Sequence, residues 1–200
     1  PEAAIWLNPQ SWSVISTLAT KEQEKKSFAL VDSQLNTAYG AVLMDPPYHE
    51  HAFDGALAVI FNAGMKENGG IFSQSQGWLI LAEALMGNGN DAFMYFMENA
   101  PAAQNRKAEI RRIEPYVYGQ FTEGKYSPNL GRSHVHWLTG TASTVMVGCV
   151  EGICGMRPDL NGIHISPSIP SAWDSFSIEK DFRGCHLSIS VANPDRKSVV

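Results

Sequence analysis

Charge is scarce in this 200-residue chain: Asp, Glu, Lys and Arg make up 18% of it, against 44% apolar residues. A net charge of −5 at pH 7 and a pI near 5.7 supply no basic field to draw the chain to nucleic acid or to an anionic membrane surface. Apolar runs of the ~18–20 residues needed to span a bilayer are missing as well. Cysteine is rare and odd in number. Cys149, Cys154 and Cys185 lack metal-ligand spacing and read as free or buried thiols of a reducing, cytoplasmic setting, not as a disulfide framework. His134 and His136 stand two apart with no third ligand within reach, so no metal centre is expected. No phosphate-cradling GxxxxGK[ST], dinucleotide glycine fingerprint, HExxH or GxSxG is present either. Nucleotide, zinc-protease and serine-hydrolase chemistries lose their usual carriers.

What is present is helical periodicity, then alternation. Residues 9–19 read as a helix with Pro9 near its start. Thr20, with Gln23 three residues on, forms the pattern of a capping box for a second helix reaching about Leu35. DPPYHEH at 45–51 is a loop, because its two prolines oppose helix. Residues 72–86 repeat apolar side chains at helical spacing, with Trp78, Ala82 and Leu85 on one stripe and Leu79, Ala82 and Met86 on its neighbour. Gly87 and Gly89 end that helix, and 90–98 form another. From 101 to 132 the chain is polar and broken by proline and glycine, and reads as a long ordered loop carrying Tyr116, Tyr118, Phe121 and Tyr126. Helix returns at 137–155, rich in small residues. After Pro158 the period falls to two: Ile163 and Ile165, then Leu187, Ile189 and Val191, alternate with polar residues as in half-buried strands. The expected organisation is mainly α over 1–157, then the start of a β-rich domain over 158–200. Neither end reads as a natural terminus, so the chain is expected to be a piece of a longer protein.

Three polar clusters stand out. In KENGGIFSQSQGW, Gly69 and Gly70 let backbone approach a ligand closely, and the following helix start favours an anion. Lys66 offers a point charge or a hydroxyl donor, and Glu67, Gln74 and Gln76 are planar groups suited to sugar hydroxyls. The same residues would also serve a solvated turn. In HWLTGTAS, Thr139 and Gly140 offer a hydroxyl and an unshielded amide to an oxyanion, or a tight helix contact. In RRIEPYVYGQFT, Glu114, Tyr116, Tyr118 and Gln120 are spaced by two, and in extended backbone would share one face. Rings and amides so arranged suit carbohydrate, or a packed loop.

Taken in order, LNPQSW, KENGGIF with QGW, EIRRIEPYVYGQ, YSP, WLTGTAS and GMRPDLNGIHISPSIPSAWDSFSI resemble the inverting glycoside phosphorylases typified by cellobiose phosphorylase. The likeness runs from residue 7 to residue 184. It implies part of an (α/α)6 barrel followed by a β domain, a homodimer, and no cofactor, inorganic phosphate being a substrate. It implies cleavage of a β-glucosyl disaccharide by phosphate, with inversion, to α-glucose 1-phosphate. Phosphate is then the nucleophile, and one carboxylic acid protonates the leaving oxygen. Thr139 and Gly140 fall on the family's phosphate-binding Thr-Gly pair, Lys66 and Gln120 on residues of its sugar site, and Glu67 lies beside that lysine.

Two departures matter. Gln74 stands where the family usually has a phosphate-binding histidine, and an amide donates a hydrogen bond without the charge of an imidazolium. The family's general acid, an aspartate in a DWND-like motif, lies upstream of LNPQSW; Asp32, Asp45 and Asp54 lack its context. No catalytic residue is therefore assigned in this chain, which is expected to be inactive alone. The alternatives are a carbohydrate-binding remnant without catalysis and a larger β-glucan-processing relative. Half a barrel would also expose an apolar inner face, so poor solubility is expected of the chain in isolation.

Overall fold

A computed structural model describes residues 2–49 and 57–195. The chain opens with a short strand β1 (Ile5–Trp6) that runs directly into α1 (Leu7–Ile15). Pro9 sits in the first turn of α1, where its missing N–H removes no helical hydrogen bond. Helix α2 (Lys21–Leu30) starts at the expected capping box: Gln23 N donates to Thr20 Oγ1 at 3.3 Å, and Thr20 N donates to Gln23 Oε1 at 2.9 Å. A π turn, Val31–Leu35, carries the helix to the expected end. Strand β2 (Met44–Asp45) returns to pair antiparallel with β1. The loop expected at 45–51 is described only as far as His49; its last two residues, like Asp54, lie outside the described residues.

Strand β3 (Ile71–Phe72) leads into α3 (Ser73–Leu85), followed by α4 (Gly89–Asn99). Helix α3 is the centre of the structure and packs against α1 and α4, and against the helix that closes the α region. Leu79, Ile80 and Ala82 of α3 are fully buried, in one core with Leu7, Val31, Leu35 and Tyr95. That burial is the main source of stability for short helices such as these.

The long loop expected over 101–132 is a correction. It holds α5 (Pro101–Gln104), a 3₁₀ turn and α6 (Ala108–Arg111). Pro101 occupies the first turn of α5, where proline starts a helix and does not break it. Helix α6 ends at Arg112, whose φ of 50° is left-handed. Strands β4 (Gly119–Thr122) and β5 (Ser133–His136) then join β3 in an antiparallel sheet of order β3-β4-β5. Helix α7 (Thr141–Val147) continues as a π turn, Gly148–Ile153. It starts four residues later than expected, because Trp137 has a left-handed φ of 68° and Gly140 caps the helix.

The remainder is β-rich: β6 (Met156–Pro158) with β7 (Ile163–Ile165), then a hairpin of β8 (Ser175–Phe182) and β9 (Cys185–Ala192). Leu187, Ile189 and Val191 of β9 are half-buried and alternate with exposed serines, as the period-two pattern predicts. Strand β7 differs: Ile165 is 48% exposed, and among the described residues β7 pairs with β6 alone. A helix-rich part followed by a β-rich part agrees with the expected class, with β1 to β5 set among the helices. Among the described residues no helix is long and apolar enough to cross a membrane.

Candidate functional site

The β3-β4-β5 sheet sets the geometry. Its outer strands each feed a helix: β3 passes into α3, placing Gln74 in the first turn, and β5 leads through Trp137 to Thr139 and Gly140 at the start of α7. The two helices approach very closely. A Cβ on Gly77 would lie 2.4 Å from the Thr144 carbonyl carbon, and one on Gly148 would lie 2.8 Å from the Gly77 oxygen. Only glycine permits that contact. Thr144 Oγ1 donates to the Gln74 carbonyl at 3.0 Å, tying the two helix starts together.

Gln74 and Gly140 are thereby brought side by side: a Cβ on Gly140 would lie 3.5 Å from Gln74 Nε2. That is an ordinary contact, and Gly140 has φ of −84°, open to any residue. Neither packing nor backbone requires glycine here, in contrast to Gly77. What glycine leaves is an exposed amide and free space beside the Gln74 side chain. Thr139 Oγ1 accepts from Thr141 N at 3.2 Å and lies 2.6 Å from Thr141 Oγ1, so its hydroxyl is held at the same helix start. The first amides of two helices, an amide side chain and a hydroxyl suit an oxyanion.

The second group surrounds β4. Lys66, with a left-handed φ of 42°, places Nζ 5.2 Å from the Phe61 ring centroid and 5.8 Å from that of Phe121, holding its charge against two aromatic faces. Phe121 stacks on His134, centroids 4.9 Å apart. Gln120 is half-buried and, by strand alternation, projects from the opposite face of β4 to Phe121. Glu67 is exposed, while its neighbour Asn68 is buried and holds the turn by bonds to Tyr48 and to the Phe61 carbonyl.

Two expectations are corrected. Gln76 is fully buried and faces no ligand space. Its amide donates to the Ala41 and Phe72 carbonyls at 2.9 and 3.2 Å, and its oxygen accepts from Ala41 N at 2.9 Å. It clamps a distant loop to α3. The one-face arrangement of Glu114, Tyr116, Tyr118 and Gln120 also fails, because Arg112 and Tyr116 have left-handed backbone and turn the chain. Tyr118 packs on the core, Tyr116 is exposed, and Glu114 accepts from Trp137 Nε1 at 2.7 Å. His134 pairs with carboxylate: its Nε2 lies 2.6 Å from Glu123 Oε1, and Ser127 Oγ donates to Glu123 Oε2. Burial opposes ionisation of Glu123, yet these hydrogen bonds and the charge of His134 outweigh it and hold the carboxyl below its ordinary range. Sequence reading missed Glu123, whose partner lies eleven residues away across a hairpin. No group of three or more metal-ligating side chains occurs among the described residues.

Comparison with known proteins places the chain in a family. Residues 1–155 match the glycosyl hydrolase 94 superfamily, catalytic domain, and residues 156–199 match the glycosyl hydrolase family 65, C-terminal domain. The chain belongs to the glycosyl hydrolase 94 superfamily. It is 33% identical to an N,N'-diacetylchitobiose phosphorylase of Vibrio proteolyticus over 98% of this chain and 25% of the relative. It is 32% identical to a cellobionic acid phosphorylase of Neurospora crassa over 99% of this chain and 26% of the relative. A solabiose phosphorylase of Paenibacillus borealis is 29% identical over 98% of this chain and 26% of the relative. The chain thus spans about a quarter of the length of these three relatives.

Proposed function

We propose that this chain forms the phosphate-binding and part of the sugar-binding wall of a disaccharide phosphorylase. In this reading its helices are part of an (α/α)6 barrel, within a protein that acts as a homodimer. Phosphate attacks the anomeric carbon of a β-linked disaccharide with inversion as the glycosidic C–O bond breaks, the acid protonates the departing oxygen, and α-glucose 1-phosphate and the released sugar leave the enzyme. The observation that carries the reading is the placement of Gln74 beside Gly140 where α3 and α7 begin. Thr139, Gly140 and Gln74 would hold phosphate oxygens; Lys66, Gln120 and Glu67 would take sugar hydroxyls. Gln74 adds hydrogen bonding without charge, so the site leans on helix amides for the electrostatic share. Asp45 is paired with Lys125 at 3.0 Å, and in this reading the acid comes from another segment of the polypeptide.

The test is glucose 1-phosphate release by the full-length polypeptide, given phosphate and a panel of β-glucosyl disaccharides. Release from one member supports the reading and identifies the acceptor. Silence from folded protein across the panel, or release by the 200-residue chain alone, refutes it as stated.

A further inference from the structure

A cavity of about 580 Å³ opens between α2, the C-terminal end of α3, and α4. Along α3 it lies about 14 Å from Gln74 at 1.5 Å per residue, and it shares no residue with the phosphate and sugar groups. Glu83 lines it, 3% exposed, with one carboxylate oxygen 2.7 Å from the Asn88 amide. Tyr95 also lines it, fully buried, and its hydroxyl has no hydrogen-bond partner among the described residues. That hydroxyl stands in the field of Glu83, Asp32, Glu98 and Asp91, and all of these but Glu98 line the same space. An unpartnered buried hydroxyl beside a buried carboxylate is unfavourable unless something completes it. The cations nearby do not: Lys21 is paired with Glu24 at 2.8 Å, and Lys25 is exposed. Phe28, Met86 and Met94 supply apolar walls, and methionine adapts to an alkyl chain.

We propose that this cavity binds a guanidinium group on an alkyl stem, with the planar fork meeting Glu83 and the Tyr95 hydroxyl and the stem lying along Met86 and Met94. A guanidinium carries five donors in one plane, enough for the buried carboxylate, the hydroxyl and the Asp91 rim together, where an ammonium presents a single centre. The group comes either as a free small molecule or as an arginine side chain of the full-length polypeptide.

Agmatine titrated into the purified chain by calorimetry at pH 8 tests this. Saturable binding with Kd below about 1 mM is expected, with putrescine weaker. Tyr95→Phe removes only the unpartnered hydroxyl, keeps the fold, and weakens agmatine about threefold; Glu83→Gln weakens it about tenfold or more. Absence of saturable binding to the wild-type chain, or equal affinity in a folded Tyr95→Phe variant, overturns the proposal. Titration of the full-length polypeptide separates the sources. Loss of agmatine binding there, with binding in the short chain, means an arginine of the polypeptide fills the cavity. Binding in both means a free ligand.

Discussion

Two glycines at one helix contact offer a sharp test of what this surface is for. In Gly77→Ala the new methyl would lie 2.4 and 2.5 Å from the Thr144 carbonyl carbon and oxygen, against the ~3.5–4.0 Å of a relaxed carbon contact. Helices α3 and α7 must separate, an overpacking that costs about 1–3 kcal/mol and exceeds the roughly 1 kcal/mol gained in helix propensity. In Gly140→Ala the methyl meets nothing nearer than Gln74 Nε2 at 3.5 Å, and φ of −84° is unstrained. The lost helix cap and the reduced freedom of the unfolded chain, each about 0.5–1 kcal/mol, nearly cancel. Urea unfolding should show Gly77→Ala destabilised by about 1–2 kcal/mol and Gly140→Ala within about 0.5 kcal/mol of wild type. Phosphate titration should show the reverse ranking, with Gly140→Ala weakened about tenfold, because its methyl fills the space beside Gln74. A Gly140→Ala variant that unfolds as easily as Gly77→Ala, or that keeps full phosphate affinity, would refute the assignment of Gly140 to ligand.

Further outcomes follow from the same structure. Gln76→Ala leaves the Ala41 N–H and C=O unpaired in the core and should lower stability by about 3 kcal/mol, read from the urea midpoint. Burial raises Glu83, against the Asn88 hydrogen bond and with help from Asp91 and Asp32, to about 7. The folded state therefore keeps a proton that the unfolded chain releases near 4.5, so stability is highest below that pH and falls as pH rises towards 7, by about 3 kcal/mol. Glu83→Gln should remove this slope; Glu98, also pushed up by burial to about 7, remains in both proteins, so the difference between their pH–stability curves isolates Glu83. Gln74→His in the full-length polypeptide should tighten phosphate about tenfold near pH 6 and much less at pH 8, as imidazolium is lost; equal affinity at both pH values would remove charge from the account of this position.

Much of the fold was legible because its signals are local. Thr20 and Gln23 announce their capping box within one turn, and the β9 alternation needs only its own residues. The short helices α5 and α6 were hidden because four residues are too few to show an apolar period, so the start at Pro101 and the end at Arg112 had no pattern to bound. The candidate site was legible in part. Gln74 and Gly140 are 66 residues apart in sequence and adjacent in space, and only the family likeness joined them beforehand. Glu123 carried no local mark, since its meaning comes from His134 across the hairpin.

The pair Gln74 and Gln76 shows how the sequence could have been read further. At 3.6 residues per turn, positions two apart on a helix point about 200° from each other. One ligand at the mouth of α3 therefore cannot be met by both amides. The neighbours decide which faces inward: Leu79, Ile80 and Ala82 bury the core side of α3, and Gln76 lies three residues before Leu79 and four before Ile80, on the same stripe. Gln74 is offset from that stripe and turns towards α7. The apolar periodicity of the helix thus already assigns Gln76 to the interior, where an amide survives only by pairing with backbone, and leaves Gln74 outside the core stripe. A polar residue in register with the core stripe is a clamp until geometry shows otherwise.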